Sequence, residues 1–215
     1  MTDLRYTLVS DGPSDELLLR HLDWLLGKHL DDTIGPQGQW ADLRSFHPRP
    51  AGLAGRIAVA VDLYPCHLLF VHRDAEREER SVRCEEIREA LRSAGIQPPP
   101  AICVVPVRMT EAWLLFSQEA VRRAAGNPNG RRPIPIPHLD PESLPDPKRI
   151  LREALRSASE LPGRRLKRFD QRIAQSVRRV ADYIDDFTPL RRLAAFRALE
   201  EDLKDLLREH GWHKT

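Results

Sequence analysis

The sequence predicts an α/β fold: a largely parallel sheet with helices on both faces, followed by a helical C-terminal region. Three observations carry this. Over residues 1–125, short apolar runs of strand length alternate with segments of helical apolar periodicity. From Asp146 onward the apolar residues recur at helical spacing alone. Between the two regions lie seven prolines, Pro128, Pro133, Pro135, Pro137, Pro141, Pro145 and Pro147, which disfavour helix and central strand. The expected organisation is a core over 1–127, a proline-rich connection over 128–147, and a helical region over 148–215 packed on the core.

The elements follow in order. Residues 4–9 alternate and end in Ser-Asp-Gly-Pro-Ser, a strand running into a turn. A helix over 14–30 starts at Ser14 as N-cap, with Asp15 and Glu16 in its first turn, favoured by the helix dipole. It buries Leu17, Leu18, His21, Leu22, Leu25 and Leu26. The Gly/Pro/Gln stretch at 35–39 breaks it; a short strand is expected at 42–46 and a helix of small apolar residues at 53–63. Leu68 to Val71 is a buried-type strand, and 78–94 a charged helix with Val82, Ile87 and Leu91 inward. A strand over 102–107 leads to a helix that contains Glu111 and Trp113 and ends at Gly126-Asn127. Three further helices are predicted over 147–160, 166–185 and 193–209. The second buries Ile173, Val177, Val180 and Ile184; the third buries Phe196, Leu199, Leu203 and Leu206.

A chain of 215 residues with 41% hydrophobic and 31% charged residues fits one moderate domain with a heavily ionised surface. Net charge of +2 gives no argument for nucleic acid by itself. The three cysteines, Cys66, Cys84 and Cys103, include no C-x-x-C pair and no histidine at metal-ligand spacing, which points to reduced thiols rather than disulfides or zinc. No signal-peptide h-region and no membrane-length apolar window occurs, so a cytoplasmic protein without membrane contact is expected.

The functional signal is acidic. Asp11 follows the first apolar run, Asp74 and Glu76 follow the second, and Glu111 follows the third. If these runs are neighbouring parallel strands, all the acids emerge at the carboxyl edge of one sheet, where open α/β folds bind ligands. Carboxylates crowded in one crevice need protons or a cation, and a divalent metal such as Mg²⁺ or Mn²⁺ is the simplest partner. Each acid taken singly also reads as an ordinary turn or helix-start residue.

The segments Asp11-Gly12-Pro13-Ser14-Asp15 and Asp74-Ala75-Glu76 resemble the motifs of TOPRIM domains, found in topoisomerases, bacterial primases and OLD-type nucleases. Glu111-Ala112-Trp113-Leu114-Leu115 and Asp185-Asp186-Phe187-Thr188-Pro189-Leu190 are similar to segments of a poorly characterised bacterial TOPRIM-like branch. The resemblance spans most of the chain, through short motifs. It implies a TOPRIM-like, Rossmann-type fold and a Mg²⁺- or Mn²⁺-dependent phosphoesterase or endonuclease, with a place in anti-phage or mobile-element defence. Nucleic acid, DNA first, would be the substrate, and a separate ATPase subunit a companion, since no G-x-x-x-x-G-K-[ST] loop occurs here. The implied metal ligands are Asp11, Asp74, Glu76 and Glu111; the implied catalytic residues are Asp11 as ligand or general base, Glu111, and Arg108 as donor to the developing phosphorane charge. Arg108 reads equally as a salt-bridge partner of these acids. His72 reads as a packed strand histidine and Trp113 as core beneath the site.

Two departures matter. The family usually has Glu where this chain has Asp11, and Asp where it has Glu76. Charge is kept but reach changes, and a misplacement of about 1 Å can cost roughly 100-fold in rate. The departures favour an alternative: a catalytically impaired, TOPRIM-derived regulatory or assembly subunit. An α/β enzyme acting on a small phosphorylated molecule is a third reading, without a Gly-rich phosphate loop in its support.

Residues 164–192 hold nine cations against four acids. Arg164, Arg165, Lys167 and Arg168 lead this run and are the candidate nucleic-acid contacts. A solvated helix surface laced with ion pairs has the same composition.

Overall fold

A computed structural model of the protein describes residues 2–136 and 140–214; Pro137 lies outside the described residues. Its centre is a four-stranded parallel sheet of β1 (Thr2–Val9), β2 (Ile34–Trp40), β3 (Leu68–His72) and β4 (Ala101–Val104), in the order β2-β1-β3-β4. The strand periodicity of two sorts the side chains onto two faces. Tyr6, Leu8, Leu68, Phe70, Ile102 and Val104 enter one core; Val9, Leu69, Val71 and Cys103 enter the other.

The helix from β1 to β2, α1 (Leu18–His29), lies on the first face. Those leading to β3 and β4, α2 (Gly52–Leu63) and α3 (Arg80–Ser93), lie on the second. Crossovers of one hand that run in opposite directions along a sheet must use opposite faces. The chain therefore reverses direction at β1, and a crevice opens between the carboxyl ends of β1 and β3.

Beyond β4 a 3₁₀ turn (Thr110–Leu114) precedes α4 (Gln118–Ala124), whose N-terminus is capped by Ser117 Oγ accepting from the Ala120 N–H. The single helix expected from Glu111 to Gly126 is thus broken. α5 (Pro147–Ser159) starts with Asp146 as N-cap and Pro147 at a position where its missing N–H costs nothing. Next come α6 (Gly163–Gln171), α7 (Ile173–Asp182) and α8 (Ala194–Glu209). The helix expected over 166–185 is divided at Arg172, whose backbone leaves the helical region (φ −114°, ψ 9°). Ile173, Val177 and Val180 on α7, and Phe196, Leu199 and Leu203 on α8, join α1 and the sheet in one core. Leu206 is half-buried at its edge.

The proline-rich connection is anchored by Ile134 and Leu144, both buried. Glu142 accepts hydrogen bonds from the Ala194 and Ala195 N–H groups, so a distant carboxylate caps α8. No helix among the described residues is long and apolar enough to cross a membrane.

Two sequence expectations are corrected. Residues 35–39 form an edge strand rather than a break, and 42–46 form no strand. An edge strand pairs on one side only and so tolerates Pro36. Gly38 pairs with Tyr6, and a Cβ there would stand 2.3 Å from the tyrosine ring. That ring occupies the space and donates its hydroxyl to Asp23 (2.6 Å).

Candidate functional site at the carboxyl edge of the sheet

β1 ends in Ser10-Asp11-Gly12, and a 3₁₀ turn (Pro13–Leu17) then curls back. The Gly12 N–H donates to Asp15 Oδ2 (3.1 Å) and Ser14 Oγ donates to Asp15 Oδ1 (3.2 Å), which turns the Asp15 carboxylate inward, buried at 8% exposure. β3 delivers His72 and then Asp74. The stretch after β4 delivers Glu111, also buried at 8%. Three strand ends therefore direct Asp15, Asp74 and Glu111 toward one crevice.

Their electrostatics are coupled. Burial, then the charges of Asp15 and Glu111, and more weakly Asp11, push the Asp74 carboxyl up to about 7. Burial also raises Glu111, an effect opposed by Lys148 nearby (Nζ to Oε1 3.9 Å). His72 donates its Nδ1–H to the Val104 carbonyl (3.0 Å), and its Nε2 lies 3.4 Å from Thr110 Oγ1, 3.5 Å from Asp74 Oδ1 and 3.9 Å from Asp15 Oδ1. Burial lowers the basicity of His72. Asp74 Oδ1 is itself buried without a hydrogen-bond partner. Carboxylates of like charge gathered at one sheet edge are what a proton or a cation relieves.

The residues singled out from sequence separate. Asp11 is half-exposed and already paired, with Arg56 at 2.6 Å and Arg73 at 3.4 Å. Glu76 adopts a left-handed backbone (φ 56°) with its side chain 70% exposed, 3.7 Å from Arg83. Arg108, also left-handed (φ 63°), has no carboxylate within 4 Å among the described residues and shares a cavity with Glu76 and Arg83. Trp113 is wholly buried. Asp15, read from sequence as a first-turn dipole residue, joins Asp74 and Glu111 instead.

Lys148 and Arg152 on α5 were not legible as site residues. Four apart, they share a helix face, and they line a cavity of about 260 Å³ with Glu111, Ser14 and Arg178. Arg178 on α7 donates to the Pro13 carbonyl (2.7 Å) and reaches Glu16 (3.3 Å), so the helical region clamps the loop that carries Asp15. On the other side of that loop, Arg44, Arg49, Arg56 and Trp40 line a cavity of about 270 Å³ that reaches Asp11.

The donor set is hard oxygen, suited to Mg²⁺ or Mn²⁺. Among the described residues, no three His, Cys, Asp or Glu side chains form a ready ligand cluster. The arrangement fits an ion held by one or two carboxylates with water and substrate oxygens completing the shell. No family model, curated protein or solved structure matches this chain.

Proposed function

We propose that the protein is a Mg²⁺- or Mn²⁺-dependent phosphodiesterase of TOPRIM-like type acting on nucleic acid, DNA first. The observation that carries this reading is the meeting of Asp15, Asp74 and Glu111 from three strand ends at the reversal point of the sheet, with Asp74 Oδ1 buried and unpartnered. Asp74 and Asp15 would hold the ion. When bound, it would neutralise the scissile phosphate and polarise the leaving oxygen. Lys148 and Arg152, across from Glu111, are positioned to bind the non-bridging phosphate oxygens. Glu111 holds a proton more readily than an ordinary carboxyl and is suited to proton transfer at the substrate. His72 fixes the inner edge of the crevice through its bond to Val104. Asp11 orients Arg56 and Arg73 rather than facing the substrate alone.

One observation favours the second reading, an impaired regulatory or assembly subunit: Asp11 is engaged by two arginines and Glu76 is turned outward. Calorimetric titration of Mg²⁺ and Mn²⁺ into wild type and Asp74→Ala, followed by cleavage assays on labelled DNA, separates the two. The phosphodiesterase reading expects binding and metal-dependent cleavage that Asp74→Ala removes. Robust cleavage by Asp74→Ala sinks it; metal binding without cleavage moves the assignment to the subunit.

A further inference from the structure

Two helical regions of this chain are rich in arginine, and they differ in what surrounds the charge. On α3, Arg83 pairs with Glu86 (2.8 Å), Arg88 with Glu85 (3.6 Å) and Arg92 with Glu85 and Glu89 (both 2.7 Å), while Arg80 reaches Asp202. On α6 and α7 the acids at helical spacing are engaged elsewhere. Asp170 is taken by Arg156 of α5 (2.6 Å) and Asp182 by Arg20 of α1 (3.3 Å). Among the described residues, Arg164, Arg165, Lys167, Arg168, Arg172 and Arg179 have no carboxylate within 4 Å. α6 contributes no fully buried side chain, and it meets the core through the half-buried Phe169, so core packing does not account for its arginines.

Four of these cations converge. Arg165, Arg168, Arg172 and Arg179 line a groove of about 650 Å³ between α6, α7 and the end of α4, with Phe169 and Gln175. No acidic residue lines it. Among the described residues these guanidiniums make no hydrogen bond to the α4 carbonyls, so they do not serve as caps for that helix. Like charges three and four residues apart repel, and among the described residues no carboxylate stands within 4 Å of these four to offset the repulsion. Arg164 and Lys167 stand outside the groove lining.

We propose that this groove is a second nucleic-acid site, one that binds the phosphodiester backbone away from the acidic crevice. It rests on the nucleic-acid reading given above. α7 separates the two: its Ala174, Val177 and Arg178 line the cavity beside Glu111, while Gln175, Ser176 and Arg179 line the groove. Unpaired guanidiniums bind phosphate bidentately and release condensed counterions, so the groove supplies affinity without reading sequence.

The test is fluorescence anisotropy of labelled single- and double-stranded DNA with the full chain, in EDTA so that cleavage plays no part. Arg172→Ala with Arg179→Ala is expected to weaken binding at least about 10-fold at low salt and to flatten the log K against log salt slope by about 2. Arg165→Gln with Arg168→Gln, a second pair in the same groove, should do likewise, with melting curves checking that each variant folds. Arg88→Ala with Arg92→Ala on α3 should leave affinity and slope unchanged. The proposal is overturned if wild type does not bind, if both groove pairs bind as wild type, or if the α3 pair loses as much. Asp74→Asn separates this from the reading of the crevice: it should lose metal-dependent cleavage while keeping the affinity and salt slope of wild type, whereas a wild type that binds through the groove but cleaves with neither Mg²⁺ nor Mn²⁺ leaves the groove standing and removes the phosphodiesterase.

Discussion

Asp11 and Asp74 leave adjacent strands of the same sheet and meet opposite surroundings. Asp11 is met by Arg56 and Arg73 and is half-exposed. Asp74 is met by His72, whose basicity burial lowers, and by two further acids, with one oxygen buried and without a hydrogen-bond partner. Position at a strand end is therefore not enough to make a carboxylate a ligand. A paired carboxylate is stable ionised and has little to gain from a cation; an unpaired one among like charges gains most.

The widest separation is expected in activity. On the phosphodiesterase reading proposed above, Asp74→Asn should lower metal-dependent cleavage by more than about 100-fold, whereas Asp11→Asn, which acts through the arginines it orients, should cost about 10- to 100-fold. Equal losses in single-turnover assays would dissolve the distinction. Next in size is stabilisation by metal. Mg²⁺ or Mn²⁺ at about 100 times its Kd stabilises by about 2.7 kcal/mol, and at about 2–4 °C per kcal/mol this raises Tm by about 5–11 °C. Wild type and Asp11→Asn should show the rise by calorimetry, and Asp74→Asn should not.

A smaller effect appears without metal at pH 8. Asp74→Asn should raise Tm by a few degrees, because it removes a charge crowded by Asp15 and Glu111. Asp11→Asn should lower it slightly, because it breaks a surface pair worth about 0.2–1 kcal/mol.

A further comparison lies in the pH dependence of metal-free stability. Asp74 titrates higher in the fold, at about 7, than in the unfolded chain, so its contribution falls as pH rises from about 4 to about 7. His21, buried among Trp113 and Phe187, is pushed down to about 4, so its contribution is lost as pH falls from about 6.5 to about 4. The two slopes oppose one another in wild type. Asp74→Asn should uncover the His21 slope, so that stability rises with pH across that window in denaturant titrations; an unchanged profile would remove Asp74 from the balance.

The candidate site was legible in outline. Acids after three apolar runs marked the edge of the sheet, because parallel strands share their carboxyl ends. Asp15 was visible in the same segment as Asp11, but its inward turn depends on the Gly12 N–H and on the curl of a 3₁₀ turn. Glu76 carried the same charge as Asp74, yet a left-handed backbone sends it to Arg83. Lys148 and Arg152 could be seen to share a helix face, but nothing local says which neighbour that face meets.

By itself the sequence determined the parallel α/β core, the helical stripes that bury Val177, Val180, Phe196, Leu199 and Leu203, and the presence of acids at strand ends, because periodicity and strand polarity are local properties. Only the tertiary structure decided that 34–40 is an edge strand beneath the Tyr6 ring, that the acids of α6 and α7 serve Arg156 and Arg20, and that Asp11 meets two arginines while Asp74 meets no arginine or lysine among the described residues. The reason is physical: the state of a charge depends on which opposite charges lie within a few ångströms, and packing brings those from distant parts of the chain.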